Sequence, residues 1–444
     1  MEFDARYDLD VLALQQQDDL TCLLTLTAPT PAGSQERPGE TVIAVLDDSA
    51  SMRGERLESA RMAMHQLVDR LMPQDSFGLV TFSTDARITV PVRKMVDHDR
   101  PSVHGFIEQV RGRSSTDLGA GYLLGLSLAQ QHACASGASL MLLSDGHANS
   151  GVTDAVALGR VAAQGRVNGV TTTTIGVGDD YDESLLAALA AQGQGSHRFA
   201  HSPDDAVAVV CEEAGDLLSK SILNAFIRVR LVNPDLLPGL NLLHDLPGMV
   251  EQTASGPVLV IAMGDLYAGQ QRELLVKIQV PGMESLGMAH LGDFVLDYVS
   301  LPDLQAHTLT WPITVNVVSP EDAANRVPDP SVTTARLLAE VAQAKAEAAE
   351  ALSSGDRDLA SEVIQRKASQ IRKAKEDLLQ RTPDRSDLAE RLDEEADHLD
   401  KLERAARERE SRASIKSLVE DVAMNSRGRG DAQRRQRARG KREF

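Results

Sequence analysis

Residues 44–60 read AVLDDSASMRGERLESA. An apolar run ends here in two aspartates and two serines, then turns directly into a helical pattern. Burying that much oxygen at a strand end is costly unless something satisfies it. A metal ion, a phosphate, or ordered water with a helix cap would each do so. Two later stretches offer similar chemistry: SSTDLGAG, with Thr116 and Asp117, and LLSDGHANSG, with Asp145. Alternate residues of an extended segment point the same way, so Asp47, Ser49 and Ser51 can face one ion. Hydroxyls and carboxylates without histidine or thiol are hard ligands. They suit Mg2+, with Mn2+ and Ca2+ as alternatives, rather than zinc or copper. The following helix points its positive end back toward the site, which favours an anionic group as the ion's final ligand.

Three separated segments converge only if a sheet positions them. From Thr41 the pattern supplies one. TVIAVLD, SFGLVTFS, ASLMLLSD, VTTTTIGVG and SHRFA read as strands, with RITVPV as an edge strand that tolerates Pro91. Helical stretches alternate with them, the last running from PDDAVAVV to SKSI. Continuously apolar strands alternating with helices predict a mostly parallel, doubly wound sheet of α/β class covered on both faces. Ligands of such sheets sit beyond the carboxyl ends of the strands, where strand order reverses. All three oxygen-rich segments fall at strand ends or helix starts of that kind.

The flanking chain reads differently. From about residue 224 to 319, AFIRVRLVN, PVLVIAMGDL, QRELLVKIQVP, LGDFVLDYVS and LTWPITVNVV alternate with period two, a β-sandwich pattern. At the amino end, YDLDVLALQ and LTCLLTLTA read as two strands of a hairpin. An isolated hairpin is marginal, so this pair is expected to complete the sandwich. The α/β domain is then an insertion. After a linker, SSGDRD and RTPDRSD break the carboxyl-terminal region into three helices. Leu388, Leu392, Leu399 and Leu402 recur at near-heptad spacing, which predicts a coiled-coil-like bundle. The expected boundaries are 1–32 for strands completing the sandwich, 40–220 for the α/β domain, 221–319 for the sandwich, 331–425 for the bundle and 426–444 for a basic, disordered tail.

The pattern Asp47-x-Ser49-x-Ser51, then Thr116, then Asp145 resembles the von Willebrand factor type A (VWA) family and its metal-ion-dependent adhesion site. Further stretches, GVGDDYDESLLAALAAQGQGSHRFAHSPDDA and MGDLYAGQQRELLVKIQVP, resemble bacterial VWA proteins with a β-sandwich companion. The resemblance implies a Rossmann-like fold. It implies Ser49, Ser51 and Thr116 as direct Mg2+ ligands, and Asp47 and Asp145 as partners holding the ion directly or through water. It also implies an open coordination position that takes an Asp or Glu from a protein partner. Ala50 stands where the family usually has glycine, and Asp48 adds a negative charge expected either to strengthen cation binding or to face solvent.

Composition narrows the remaining classes. The 444 residues carry a net charge of -19 and only 3% aromatics, which disfavours nucleic acid as a partner of the main body. The last 18 residues oppose this trend, with eight basic side chains against Asp431 and Glu443. Cys22, Cys134 and Cys211 have no zinc or disulfide spacing. The amino terminus lacks a signal-peptide pattern and no apolar run reaches the ~18 residues needed to span a bilayer, so a cytoplasmic location is expected. There is no GxxxxGK loop, and Gly176 and Gly178 do not complete a dinucleotide fingerprint. Asp117 is expected to cap its own helix, His147 to sit in a rim loop, and His65 to be a surface residue. With no nucleophile in the constellation, a non-enzymatic, metal-dependent interaction module is expected. A Mg2+-dependent phosphohydrolase and a scaffold with an empty site are the alternatives. LDDS superficially resembles a phosphatase aspartate motif, but Ser49 stands where such enzymes want a second acid.

Overall fold

The structure is a computed structural model. It describes residues 1–30, 37–145, 148–178, 181–200, 202–243, 246, 248–254, 256–407, 418 and 420–421. His147 and the expected basic tail, 426–444, lie outside the described residues.

The chain opens with β1 (Glu2–Tyr7), β2 (Val11–Ala13) and β3 (Asp18–Thr27). An alternating series follows: β4 (Thr41–Asp47), α1 (Glu55–Arg70), β5 (Ser76–Phe82), β6 (Ala86–Lys94), α2 (Arg100–Glu108), α3 (Leu118–His132), β7 (Ala138–Ser144), α4 (Ala155–Val167), β8 (Val170–Val177), α5 (Glu183–Gln192), β9 (Gln194–Ala200) and α6 (Pro203–Leu217). Seven strands come next: β10 (Lys220–Leu231), β11 (Leu240–Leu242), β12 (Gly248–Thr253), β13 (Gly256–Tyr267), β14 (Gln271–Val280), β15 (Gly287–Ser300) and β16 (Gln305–Val318). The helices α7 (Pro320–Ala323), α8 (Pro330–Ser353), α9 (Arg357–Arg381) and α10 (Ser386–Arg407) end the described elements. Two compact units result. One comprises residues 32–220 with 301–304, and the other takes the remaining chain on either side.

In the first unit six strands form one sheet in the order β6-β5-β4-β7-β8-β9. All neighbours are parallel except the β5–β6 edge pair. Every residue of β4, β7 and β8 is buried, as two covered faces require. One face packs Leu46, Leu79, Met141 and Ile175 under α1 and α6; the other packs Val45, Val80, Leu140 and Leu142 under α3 and α5. The helix α3 lies close to the sheet because a Cβ on Gly121 would come within 2.5 Å of the Phe82 ring.

Two local expectations are corrected here. The helix α2 has no counterpart in the sequence reading, although Asp99 caps it through Ser102 N–H and a proline sits in its first turn. The last helix stops at Leu217 rather than running through Ile222; from Lys220 the backbone is extended.

In the second unit a four-stranded sheet, β1-β3-β14-β11, and a six-stranded sheet, β12-β13-β10-β15-β16-β2, enclose a core that includes Leu24, Leu26, Ile227, Ile261, Val276 and Phe294. The amino-terminal strands thus pair within this unit. They do not form the simple expected hairpin. The chain breaks at Asp8, whose backbone N–H and carboxylate both bond to Thr21, and β2 crosses to pair in parallel with β16. The three long helices share an alanine- and leucine-rich core that holds Leu392, Leu399 and Leu402. Val332, Ala335 and Ala339 of α8 pack on Leu23 and Leu275 of the sandwich, and Arg391 of α10 forms a two-pronged ion pair with Glu273.

Candidate metal centre

Asp47 is the last residue of β4, and Asp145 is the first after its parallel neighbour β7. The chain leaves β4 for β5 on one side and returns as β7 on the other, so this is where strand order reverses.

Asp47 is fully buried. Its Oδ1 accepts from the Ser49 N–H at 2.9 Å, and its Oδ2 accepts from the Ser144 hydroxyl at 2.6 Å. The Ser49 and Ser51 hydroxyl oxygens are 3.0 Å apart, and Ser51 Oγ donates to Asp145 Oδ1 at 2.8 Å. A short helical turn, Ala50–Met52, brings the two serines together. Ala50 is not among the positive-φ residues, so the freedom of a glycine is not used there.

Thr116 is buried, and its backbone bonds to the loop after β7. Its N–H donates to Asn149 Oδ1 at 2.9 Å, and its carbonyl accepts from the N–H groups of Asn149 and Ser150 at 3.1 and 3.3 Å. The Ala50 N–H donates to Ser114 O at 3.0 Å. Residues 114–116 therefore lie between the loop after β4 and the loop after β7. Among the described residues no hydrogen bond joins the Thr116 hydroxyl to the other four side chains. Asp117 caps α3 by accepting from Ala120 N–H. Gly151, at φ +71°, lets the β7 loop cross that cap, where a Cβ would sit 2.2 Å from the Asp117 carboxylate.

Several contacts carry no local sequence signal. Asp48 neither faces solvent nor adds its charge to the centre. It is buried, held by Arg113 at 2.9 Å and Arg87 at 3.2 Å, and Arg113 also pairs with Asp85. Asp48 thereby braces the β4 loop against the approach to Thr116. Arg56, from the first turn of α1, donates to Asp145 Oδ2 at 2.6 Å. His65 is half-buried, not a surface residue: it faces His104 of α2, with Nδ1 atoms 2.5 Å apart, and pairs with Glu108. Ser83, just past β5, has a buried hydroxyl without a partner among the described residues, and its carbonyl accepts from Asp117 N–H.

The charges are uneven. Six acidic side chains are buried among the described residues of this unit. Glu40 pairs with Lys220, Asp48 with Arg113, Asp75 with Arg37, Asp145 with Arg56, and Glu213 with Arg198. Asp47 has no cationic partner among the described residues. Burial pushes its carboxyl up to about 6, against the pull of the Ser144 and Ser49 hydrogen bonds and with help from the Asp145 charge. No cluster of three or more His, Cys, Asp or Glu side chains among the described residues is arranged to hold a metal; this set is built largely on hydroxyls.

Residues 41–209 match the model of the von Willebrand factor type A domain. This segment is a VWA domain. The fold is similar to that of the solved von Willebrand factor type A protein from Catenulispora acidiphila, with a TM-score of 0.72 at 17% identity over 96% of each chain. An uncharacterized protein of Synechocystis is 26% identical over 56% of this chain and 60% of its own length. A probable E3 ubiquitin-protein ligase of Arabidopsis thaliana, WAVH2, is 28% identical over 58% of this chain and 34% of its own length. The chain thus spans only part of the curated relatives it matches. VWA domains mediate protein–protein interaction and commonly bind a divalent metal at the adhesion site. Among the described residues no helix is long and apolar enough to cross a membrane.

Proposed function

We propose that this VWA domain captures a protein partner through a divalent ion, with Mg2+ as the fitting ion. Ser49, Ser51 and Thr116 are the direct ligands in this reading, and Asp47 and Asp145 supply the charge. The observation that carries it is Asp47: a buried carboxylate provided with hydroxyl and amide donors but, among the described residues, no protein cation. An unpaired buried charge is costly, and a cation removes that cost. The oxygen spacing fits Mg2+. Ser49 Oγ, Ser51 Oγ and Asp145 Oδ1 are spaced 3.0 and 2.8 Å apart. Those spacings serve hydrogen bonds and equally match adjacent corners of an octahedron at Mg2+–oxygen length, about 2.9 Å.

Bound there, Mg2+ supplies a Lewis-acidic position for an oxygen donor. The chain's residues hold the ion, orient it and shield its inner side. The partner contributes an Asp or Glu carboxylate, and the module is non-enzymatic. Asp48 gives no second acid for a phosphatase mechanism, because two arginines hold it. The test is calorimetric titration with Mg2+ of the wild type and of Ser49→Ala, followed by capture of host proteins with and without EDTA. The expected result is Mg2+ binding lost in Ser49→Ala, together with EDTA-sensitive capture. Equal binding by both proteins would sink the reading.

A further inference from the structure

Arg56 breaks a local rule. It sits in the first turn of α1, where the helix dipole favours acids and disfavours a cation. Its acidic neighbours Glu55 and Glu58 obey that preference. Such departures mark positions kept for another purpose. Arg56 donates to Asp145 Oδ2 at 2.6 Å, while Ser51 donates to the other oxygen of the same carboxylate at 2.8 Å. Its side chain is 32% exposed. Its Nη2 lies 3.4 Å from where a Cβ on Gly178 would stand, so it runs along the ends of β7 and β8, beside the oxygen cluster.

We propose that Arg56 is a specificity-determining residue that biases the ion-loaded centre toward an anionic group on the partner. This rests on the reading that a divalent ion binds here. Charge counting carries it. Asp48 and Asp85 together balance Arg113 and Arg87, so that cluster drops out of the sum. Asp47 and Asp145 together contribute two negative charges, which a divalent ion cancels. Arg56 then leaves the loaded centre with one positive charge in excess. A carboxylate restores neutrality; a neutral amide or hydroxyl does not. The same guanidinium opposes the ion itself, since both draw on Asp145. Arg56 therefore weakens the bare ion's binding and strengthens the coupling between ion and acid.

The experiment measures Mn2+ affinity by calorimetry, alone and with acetate as the carboxylate probe, for wild type, Arg56→Gln and Arg56→Lys. Gln keeps a donor toward Asp145 and removes the charge; Lys keeps the charge. Arg56→Gln is expected to bind Mn2+ alone roughly 3- to 10-fold more tightly, a Coulombic gain reduced by partial solvent screening. Acetate is expected to tighten Mn2+ binding to wild type and Arg56→Lys, and to do so less for Arg56→Gln. If wild type binds Mn2+ but Arg56→Gln binds no more tightly, or responds equally to acetate, this proposal is overturned and the metal reading survives. A wild type that takes no Mn2+ overturns both. Thermal unfolding of each variant identifies any loss of fold.

Discussion

The two ends of the parallel sheet bury acids in opposite ways. At the amino end, Glu40 just before β4 meets Lys220 at 2.8 Å, and Ser139 donates to Glu40 at 2.8 Å. That pair is nearly inaccessible and internally neutral. At the carboxyl end, Asp47 is as deeply buried but, among the described residues, meets only hydroxyl and amide donors. Seven positions along the chain therefore separate an acid paired with a lysine from one with no cationic partner among the described residues. A closed pair serves architecture. On the reading proposed above, the acid with donors and no cation among the described residues is kept for a ligand.

The largest expected effect breaks the closed end. Lys220→Met removes the cation paired with buried Glu40 and should lower stability by roughly 3–5 kcal/mol, measured by urea unfolding. Mg2+ should not restore that loss, because the defect is remote from the site. At the open end the sign reverses. Mg2+ at about 100 times its dissociation constant should stabilise wild type by about 2.7 kcal/mol, and Asp47→Asn should gain nothing from the ion. A third variant sharpens the contrast between adjacent acids. Asp48→Ala removes the brace to Arg113 and Arg87 and should cost roughly 1–3 kcal/mol with or without Mg2+. The smallest effect is Asp47→Asn in EDTA. Removing a charge that no side chain among the described residues neutralises should leave stability unchanged or raised by about 1 kcal/mol. A large loss there would show that Asp47 is structural in the same sense as Glu40.

The layered fold was legible because its signals are local. TVIAVLD and ASLMLLS are apolar throughout, and that pattern alone specifies strands covered on both faces. The spacing of Asp47, Ser49 and Ser51 was also legible: the Ser49 N–H donates to Asp47, and the Ser49 and Ser51 hydroxyls lead on to Asp145. The charge partners were not. Arg113 is 65 residues from Asp48, and Arg56 is 89 residues from Asp145. No periodicity records such pairings; they exist only once the sheet has brought the loops together. The break between β1 and β2 escaped for a similar reason. YDLDVLALQ alternates as one strand would, and only the bonds of Asp8 to Thr21 show where the chain leaves one sheet for the other. His65 looked like a surface residue because its partner, His104, lies on a helix that the pattern did not reveal.

The most direct test of the central claim is a crystal structure grown with Mn2+, with anomalous scattering used to locate the ion. The account expects one peak bonded to the Ser49, Ser51 and Thr116 hydroxyls, with Asp47 and Asp145 beside it. Anomalous maps without a peak there, or a Thr116 hydroxyl turned away from the two serines, would contradict it.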